Sequence, residues 1–233
     1  YRYVITEKND SADGFTYATN SLYMDVYVVT KDDGTLSVDG YVLHNTADNS
    51  DANEKSEAFI NKYTTNDLTI KKTVTGNQGN KGQYFVFTVE ITTDVSNAGD
   101  KYTVDLTNAS DNANASELTV NSEGKVTATY KLKHNESILI KGMTASTTYK
   151  VAEVLEAAEG YRTTYKIDNG SEQNGLETTD LNTMANDATV EFINNKEVTT
   201  PTGIITTFAP YVLMVAFAAV VAFFFLRRRN REI

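Results

Sequence analysis

The sequence predicts an all-β protein: β-sandwich domains, one partial and one complete, followed by a single C-terminal transmembrane helix. Three observations carry this expectation. Short alternating runs rich in Thr, Val and aromatic residues recur from Tyr1 to Asn195, the pattern of half-buried strands. Polar segments such as NTADNSDANEKSE and NASDNANASE separate them, as the turns of a sandwich require. The only strongly apolar stretch, Ile204 to Leu226, carries no charge; as a helix it is long enough for a ~30 Å hydrocarbon core. The composition also excludes several function classes. With 0 Cys there are no disulfides, thiolate metal sites or cysteine nucleophiles. Two His are too few for a histidine-built zinc site. A formal net charge of −10 argues against a nucleic-acid partner. No cofactor and no metal are expected, and the chain reads as a structural protein rather than an enzyme.

In chain order the strand signals are YRYVITE, LYMDVYVVT, LSVDGYVL, LTIKKTV, YFVFTVEI, KYTVDL, KVTATYKL, SILIKG, TTYKVAEV and TVEFINN. No heptad and no long amphipathic helix interrupts them. An internal repeat is legible. Tyr3 to Glu7 (YVITE) resembles Tyr149 to Glu153 (YKVAE), and each is followed by a Gly-aromatic pair, Gly14-Phe15 and Gly160-Tyr161. Phe59-Ile60-Asn61-Lys62 echoes Phe192-Ile193-Asn194-Asn195-Lys196. Two copies of one domain follow from this order. Residues 1–63 read as the C-terminal half of a domain and residues 66–197 as a complete one, with TTND (64–67) at the join. The chain reads as a fragment of a longer exported precursor.

Behind the second domain come a stalk at 198–203, the apolar helix at 204–226 and a basic tail at 227–233. Pro210 stands near the start of the helix, where proline is best tolerated. Arg227, Arg228, Arg229 and Arg231 follow the apolar run at once, which places the tail in the cytoplasm and the rest outside. Thr199-Thr200-Pro201-Thr202-Gly203, then an apolar span, then a short basic tail, resembles the sorting signal of Gram-positive cell-wall proteins, without the leucine that usually precedes the proline. The resemblance implies cleavage by sortase between Thr202 and Gly203 and transfer of the Thr carboxylate to an amine on the wall. A permanent single-span anchor is the plainer alternative.

Three polar residues break the inward apolar pattern of the second domain. Side chains alternate along a strand, so Leu68, Ile70, Lys72 and Val74 share one face and Lys71 points outward. By the same phase Glu153 shares a face with Tyr149 and Val151, and Asn194 with Val190 and Phe192; Asn195 points outward. Buried separately, each polar group costs several kcal/mol, about 2–7 for an unpaired one. Buried together, they are chemically competent. Apolar burial lowers a lysine pKa and raises a glutamate pKa. A neutral Lys72 amine can attack the Asn194 side-chain carbonyl and expel ammonia, with Glu153 as the acid that polarises the amide and carries protons. Phe85, Phe87, Tyr149 and Phe192 supply a dry setting, and fixed proximity supplies a large effective molarity. A buried Lys72–Glu153 ion pair with Asn194 as a hydrogen-bonding neighbour is the non-covalent alternative. In another, Lys72 snorkels to the rim.

Lysine on the first strand, Tyr-x-Val-x-Glu followed by Gly-Tyr, and Phe-x-Asn on the last strand resemble the Gram-positive pilins and adhesins with Cna B-type or streptococcal-pilin-type isopeptide domains. Here these are Lys72, Tyr149 to Glu153, Gly160-Tyr161 and Phe192 to Asn194; Lys72 to Gly76 with Phe85 to Thr88 also matches the pilin-linkage subgroup. The resemblance implies an Ig-like sandwich, a spontaneous Lys72–Asn194 isopeptide bond and Glu153 as its catalyst. In the first copy Glu7 and Asn61 match the pattern without their lysine. It further implies a cell-surface, wall-anchored location, with sortase and either peptidoglycan or a pilin subunit as partners. Host surface ligands, matrix or glycan, are the partners of the alternative adhesin reading; a third reading is an anchored domain without covalent chemistry.

Other candidates carry less. His44 and His134 read as solvated surface residues. The Asp48-Asn49-Ser50-Asp51 loop lacks the glycine and terminal glutamate of an EF-hand. Asn108, Asn114 and Asn135 stand in glycosylation-acceptor triplets but read as turn residues. The Gly76 to Gly82 loop (GNQGNKG) lacks the Lys-Ser/Thr ending of a phosphate loop.

Overall fold

Every one of the alternating runs is a strand. A computed structural model describes residues 1–48, 58–179, 182–198 and 202–229, the side chains of 202–209, 225–226 and 228–229 excepted. The order is β1 (Arg2–Thr6), β2 (Phe15–Thr16), β3 (Ser21–Thr30), β4 (Leu36–His44), β5 (Lys62–Tyr63), β6 (Asn66–Thr75), β7 (Phe85–Thr92), β8 (Lys101–Asp105), β9 (Glu117–Thr119), β10 (Lys125–Leu132), β11 (Ser137–Met143), β12 (Thr148–Glu153), α1 (Leu155–Ala158), β13 (Arg162–Ile167), β14 (Gln173–Asn174), β15 (Asn182–Thr183), β16 (Ala188–Asn195) and α2 (Thr202–Arg229).

Residues 66–195 build two facing sheets. One has seven strands in the order β14-β13-β16-β6-β11-β8-β9, the other four in the order β10-β7-β12-β15. Strict burial alternation along β6, β7, β12 and β16 follows from their period-2 apolar pattern. Their inner residues meet as one core, with Phe87 of one sheet 5.4 Å from Phe192 of the other. Each such buried aromatic contributes roughly 1.5–3 kcal/mol. Strands β6 and β16 run parallel, from Ala188 opposite Leu68 to Asn195 opposite Thr75. The other ladders among the described residues are antiparallel.

Strand β13 has no counterpart in the sequence reading. Only Tyr165 and Ile167 of RTTYKI are strongly apolar, so its pattern is faint. It forms because the edge of β16 opposite β6 takes it up antiparallel along its whole length, burying Thr164 and Tyr165.

The first 63 residues contain a three-stranded sheet, β1-β3-β4, and the small β2–β5 pair. Cross-strand register puts Tyr3, Met24, Val26, Val28, Leu36, Val38, Tyr41 and Leu43 on one face. Of these, Tyr3, Leu36, Val38 and Tyr41 are more than half exposed. The echo of Phe192-Ile193-Asn194 at Phe59-Ile60-Asn61 is not a strand: β5 begins at Lys62, and Ile60 is 85% exposed. Its counterpart in β16 lies between β6 and β13, whereas no strand flanks 59–61 among the described residues. The two parts of the chain touch where the Asp13 carboxylate accepts hydrogen bonds from the Thr144 and Ser146 hydroxyls.

The apolar stretch 204–226 lies inside α2. That helix starts at Thr202, so Pro210 is interior to it and not in its first turn. Among the described residues no helix is long and apolar enough to cross a membrane; the described side chains from Pro210 to Phe224 are all exposed. Pro201 lies outside the described residues, as do the side chains of Thr202 and Gly203 and residues 49–51 of the acidic loop.

Candidate functional site

Lys72 occupies an inner position of β6 between Ile70 and Val74, and its side chain is wholly buried. Lys71, one residue earlier, points outward to Glu191 at 3.2 Å. On the neighbouring strand Asn194 is also fully buried. Parallel pairing sets Phe192 opposite Lys72 and Asn194 opposite Val74, so Lys72 and Asn194 are diagonal neighbours on one face. Glu153, at the end of β12 in the facing sheet, comes down between them. Its Oε2 accepts from Lys72 Nζ at 2.9 Å, and its Oε1 accepts from Asn194 Nδ2 at 2.5 Å. The three residues are thus brought together around a single carboxyl group, and Lys72 does not snorkel.

The surroundings are dry. Lys72 Nζ lies 4.4 Å from the centre of the Phe85 ring and 5.8 Å from that of Phe87. Burial drives the Lys72 pKa down to about 8, against the opposing pull of Glu153. Burial also pushes the Glu153 carboxyl up, opposed by the Lys72 charge and by hydrogen bonds from Lys72 and Asn194. Both shifts favour the neutral pair, a free amine beside a protonated acid. Asn194 Oδ1 is buried and has no hydrogen-bond partner. A protonated carboxyl is the complement that such a carbonyl oxygen lacks.

Glu7 and Asn61 form a partial copy. Asn61 Nδ2 donates to Glu7 Oε1 at 2.6 Å, as Asn194 does to Glu153. Asn61 Oδ1 accepts from the Ala18 N–H at 2.8 Å. Glu7 Oε2 is buried without a hydrogen-bond partner among the described residues.

The profile of a family described as a domain of unknown function (DUF7601) matches residues 66–196, more than half of the 233 residues. The chain belongs to the DUF7601 family. The matched segment holds both sheets and all three clustered residues. A pilin of Streptococcus pyogenes serotype M1 is 26% identical over 238 residues, covering 99% of this chain and 67% of the pilin. The pilus tip adhesin Cpa of Streptococcus pyogenes is 30% identical over 142 residues, 61% of this chain and 18% of the adhesin. Among solved structures, the major pilin from Streptococcus pyogenes matches with a TM-score of 0.66 at 24% identity, over 85% of this chain and 70% of that one. The major pilin T3.2 of the same species matches with a TM-score of 0.59 at 25% identity, over 85% and 67%. The resemblance to Gram-positive pilins and adhesins, read first from motif order, is shown by these relatives.

Both histidines of this DUF7601 chain differ from the expectation of solvated side chains. His44 packs at 3.4 Å from the Asp25 carboxylate, its side chain only 11% exposed. His134 Nδ1 accepts the Val74 N–H at 3.0 Å. The ladder between β11 and β6 begins at Ser137 opposite Lys71, so the β6 N–H groups beyond it need another acceptor, and His134 supplies one. No local motif announces this role, because it depends on where β11 begins. Asn114, in an acceptor triplet, is a buried clamp: its side chain donates to the Lys131 C=O and accepts the Lys131 N–H. No group of His, Asp or Glu able to hold a metal occurs among the described residues.

Proposed function

We propose that this chain is a structural surface protein, a pilin or adhesin stalk, whose DUF7601 unit is an Ig-like sandwich that closes an isopeptide bond between Lys72 and Asn194. The observation that carries the reading is the placement of a buried amine and a buried carboxamide on one buried carboxyl group. In the reaction the neutral Lys72 amine attacks Asn194 Cγ. Protonated Glu153 polarises the Asn194 carbonyl and relays a proton from Nζ to Nδ2. The Nζ–Cγ amide forms as the Cγ–Nδ2 bond breaks, and ammonia leaves. Acid and base are then regenerated, so Glu153 is a catalyst of a single intramolecular turnover.

The bond suits a stalk. It joins the first and last strands of the unit, which lie side by side, and so opposes their separation under tension. Closing a loop of about 120 residues, it contributes roughly 5 kcal/mol by loop entropy. The support for a membrane anchor is the sequence, in which the charge-free stretch 204–226 runs directly into Arg227, Arg228, Arg229 and Arg231; read so, the arginines lie on the cytoplasmic side. Pro201, Thr202 and Gly203 serve as the sortase signal through which the chain passes to peptidoglycan or to another pilin subunit. In the first part of the chain, Glu7 and Asn61 match the acid and amide of such a bond without its lysine.

Intact mass spectrometry of the denatured chain tests the reading. The expected mass is that of the sequence less one ammonia, with fragment mapping placing the link at Lys72 and Asn194. A mass equal to that of the sequence would leave only a buried ion pair.

A further inference from the structure

The Gly76–Gly82 loop wraps the exit of the last strand. Asn194 is the penultimate residue of β16, and strand ends are where native structure opens first. Just past it, Asn195 Nδ2 donates to Thr75 Oγ1 at 3.0 Å, and the Lys196 N–H donates to the Thr75 C=O at 3.1 Å. The Gln78 N–H then donates to the Lys196 C=O at 3.0 Å. Asn77 completes the series. Its Nδ2 donates to the Val198 C=O and its Oδ1 accepts the Val198 N–H, both at 2.9 Å. One side chain thereby does what the backbone of an adjoining strand would do. The loop can come this close only because position 76 is glycine: φ is +86°, and a Cβ there would sit 2.3 Å from the Lys196 carbonyl oxygen.

This collar bears on the chemistry through register. Apolar packing of Val190 and Phe192 fixes the inward face of β16 but ends before Asn194. A slip of one residue at the strand end would turn Asn195 inward in place of Asn194. We propose that Asn77 is a positioning residue for the Lys72–Asn194 reaction: by pinning Val198 it keeps the end of β16 against β6, so that the Asn194 carboxamide stays within reach of the Lys72 amine and the Glu153 carboxyl. This rests on the cross-linking reading above.

The test uses the whole chain, recovered unfolded from inclusion bodies and refolded into detergent micelles, with intact mass followed over time. Asn77→Ala forms the same bond, mapped to the same two residues, about tenfold more slowly than wild type, because a small displacement of a reacting group is costly. Asn77→Asp, which keeps the acceptor for the Val198 N–H and loses the donor, falls between the two. Asn114→Ala removes an equivalent two-point clamp, on Lys131, away from the site; it lowers the melting temperature and leaves the rate unchanged. Circular dichroism establishes that each variant is folded before rates are compared. A wild-type rate for Asn77→Ala overturns the proposal. So does equal slowing by Asn114→Ala, which would make the effect one of general stability. A wild-type chain that keeps its ammonia removes the cross-link itself, a result distinct from an unaltered rate in Asn77→Ala.

Discussion

Lys72 and Asn194 sit on adjacent parallel strands with a diagonal offset of two residues, Lys72 opposite Phe192 and Asn194 opposite Val74. Parallel strands need a long connection, and here that connection is nearly the whole DUF7601 unit. The two ends of the unit are therefore neighbours in space, and the proposed bond between them would close a loop of about 120 residues. Glu153 comes from the opposite sheet, so the three side chains meet only once the two sheets have closed on each other.

Glu153→Gln and Glu153→Ala both leave the chain at its unreacted mass. Gln keeps the volume and one of the two acceptor oxygens, sets an N–H donor in place of the other, and cannot relay protons. Both variants also leave Lys72 buried without a carboxylate, which adds to the loss of the cross-link. The melting temperature of the DUF7601 unit falls by about 15 °C in calorimetry, from the loss of roughly 5 kcal/mol of loop constraint. A Glu153→Gln chain that loses ammonia at the wild-type rate would remove Glu153 from the chemistry.

The rate of bond formation in refolding wild-type chain is bell-shaped in pH. The reactive state is the pair carrying one proton, amine free and acid protonated. The acid limb lies above the ordinary glutamate range, since burial raises Glu153. The alkaline limb falls near pH 8, where Lys72 gives up its proton to solvent beside an ionised Glu153. Both limbs belong to the coupled pair rather than to either residue. Mass time courses across this range would show the maximum; a rate that keeps rising through pH 10 would mean that no protonated acid takes part.

The inward placement of Lys72, Glu153 and Asn194 was legible in the sequence because β6, β12 and β16 each carry enough apolar residues to fix the phase of the polar one among them. Lys72, Glu153 and Asn194 each stand two residues from a buried apolar neighbour, and alternation does the rest. What alternation could not reach were contacts made across the chain. Asn77 and Val198 stand 121 positions apart, and their pairing depends on where two strands end. Strand β13 was hidden for a related reason. Thr164 is buried by the sheet that receives it, so the strand's own residues announce little. The Phe59-Ile60-Asn61 segment shows the reverse case, a strand-like sequence whose flanking strands are missing from the described residues.

Asn194→Ala leaves Lys72 and Glu153 buried without a reaction to complete, and its stability follows their ionisation. Lys72 is held near 8 in the folded state against 10.5 when free. Between those values the unfolded chain binds a proton that the folded one does not, so stability rises with pH from about 8 towards 10.5. Glu153 acts in the opposite sense at lower pH. Its folded value is raised, so the stability it contributes is present below the ordinary glutamate value and is lost as pH climbs through the raised one. The variant therefore has its minimum stability between these ranges, which thermal melts at a series of pH values would locate. A flat alkaline arm would mean that Lys72 is not desolvated.

His134→Ala deprives the buried strand β6 of the acceptor for its Val74 N–H. The expected cost is about 1 kcal/mol, or about 3 °C in melting temperature for a unit of this size. Protonation removes the same acceptor, because Nδ1 then carries a hydrogen. The His134 pKa is lowered by burial and by the charges of Lys81 and Lys71. The folded state thus binds its proton later than the unfolded one as pH falls, and the contribution, complete above the ordinary histidine value, is lost as pH drops through the lowered one. Wild type and His134→Ala should converge in melting temperature at mildly acidic pH and separate at neutral pH. Because Val74 lies two residues from Lys72, the variant also slows bond formation at neutral pH, less than Asn77→Ala does, since β16 keeps its own hold on that strand. Equal melting temperatures at neutral pH would assign the Val74 N–H to solvent and leave His134 without a structural part.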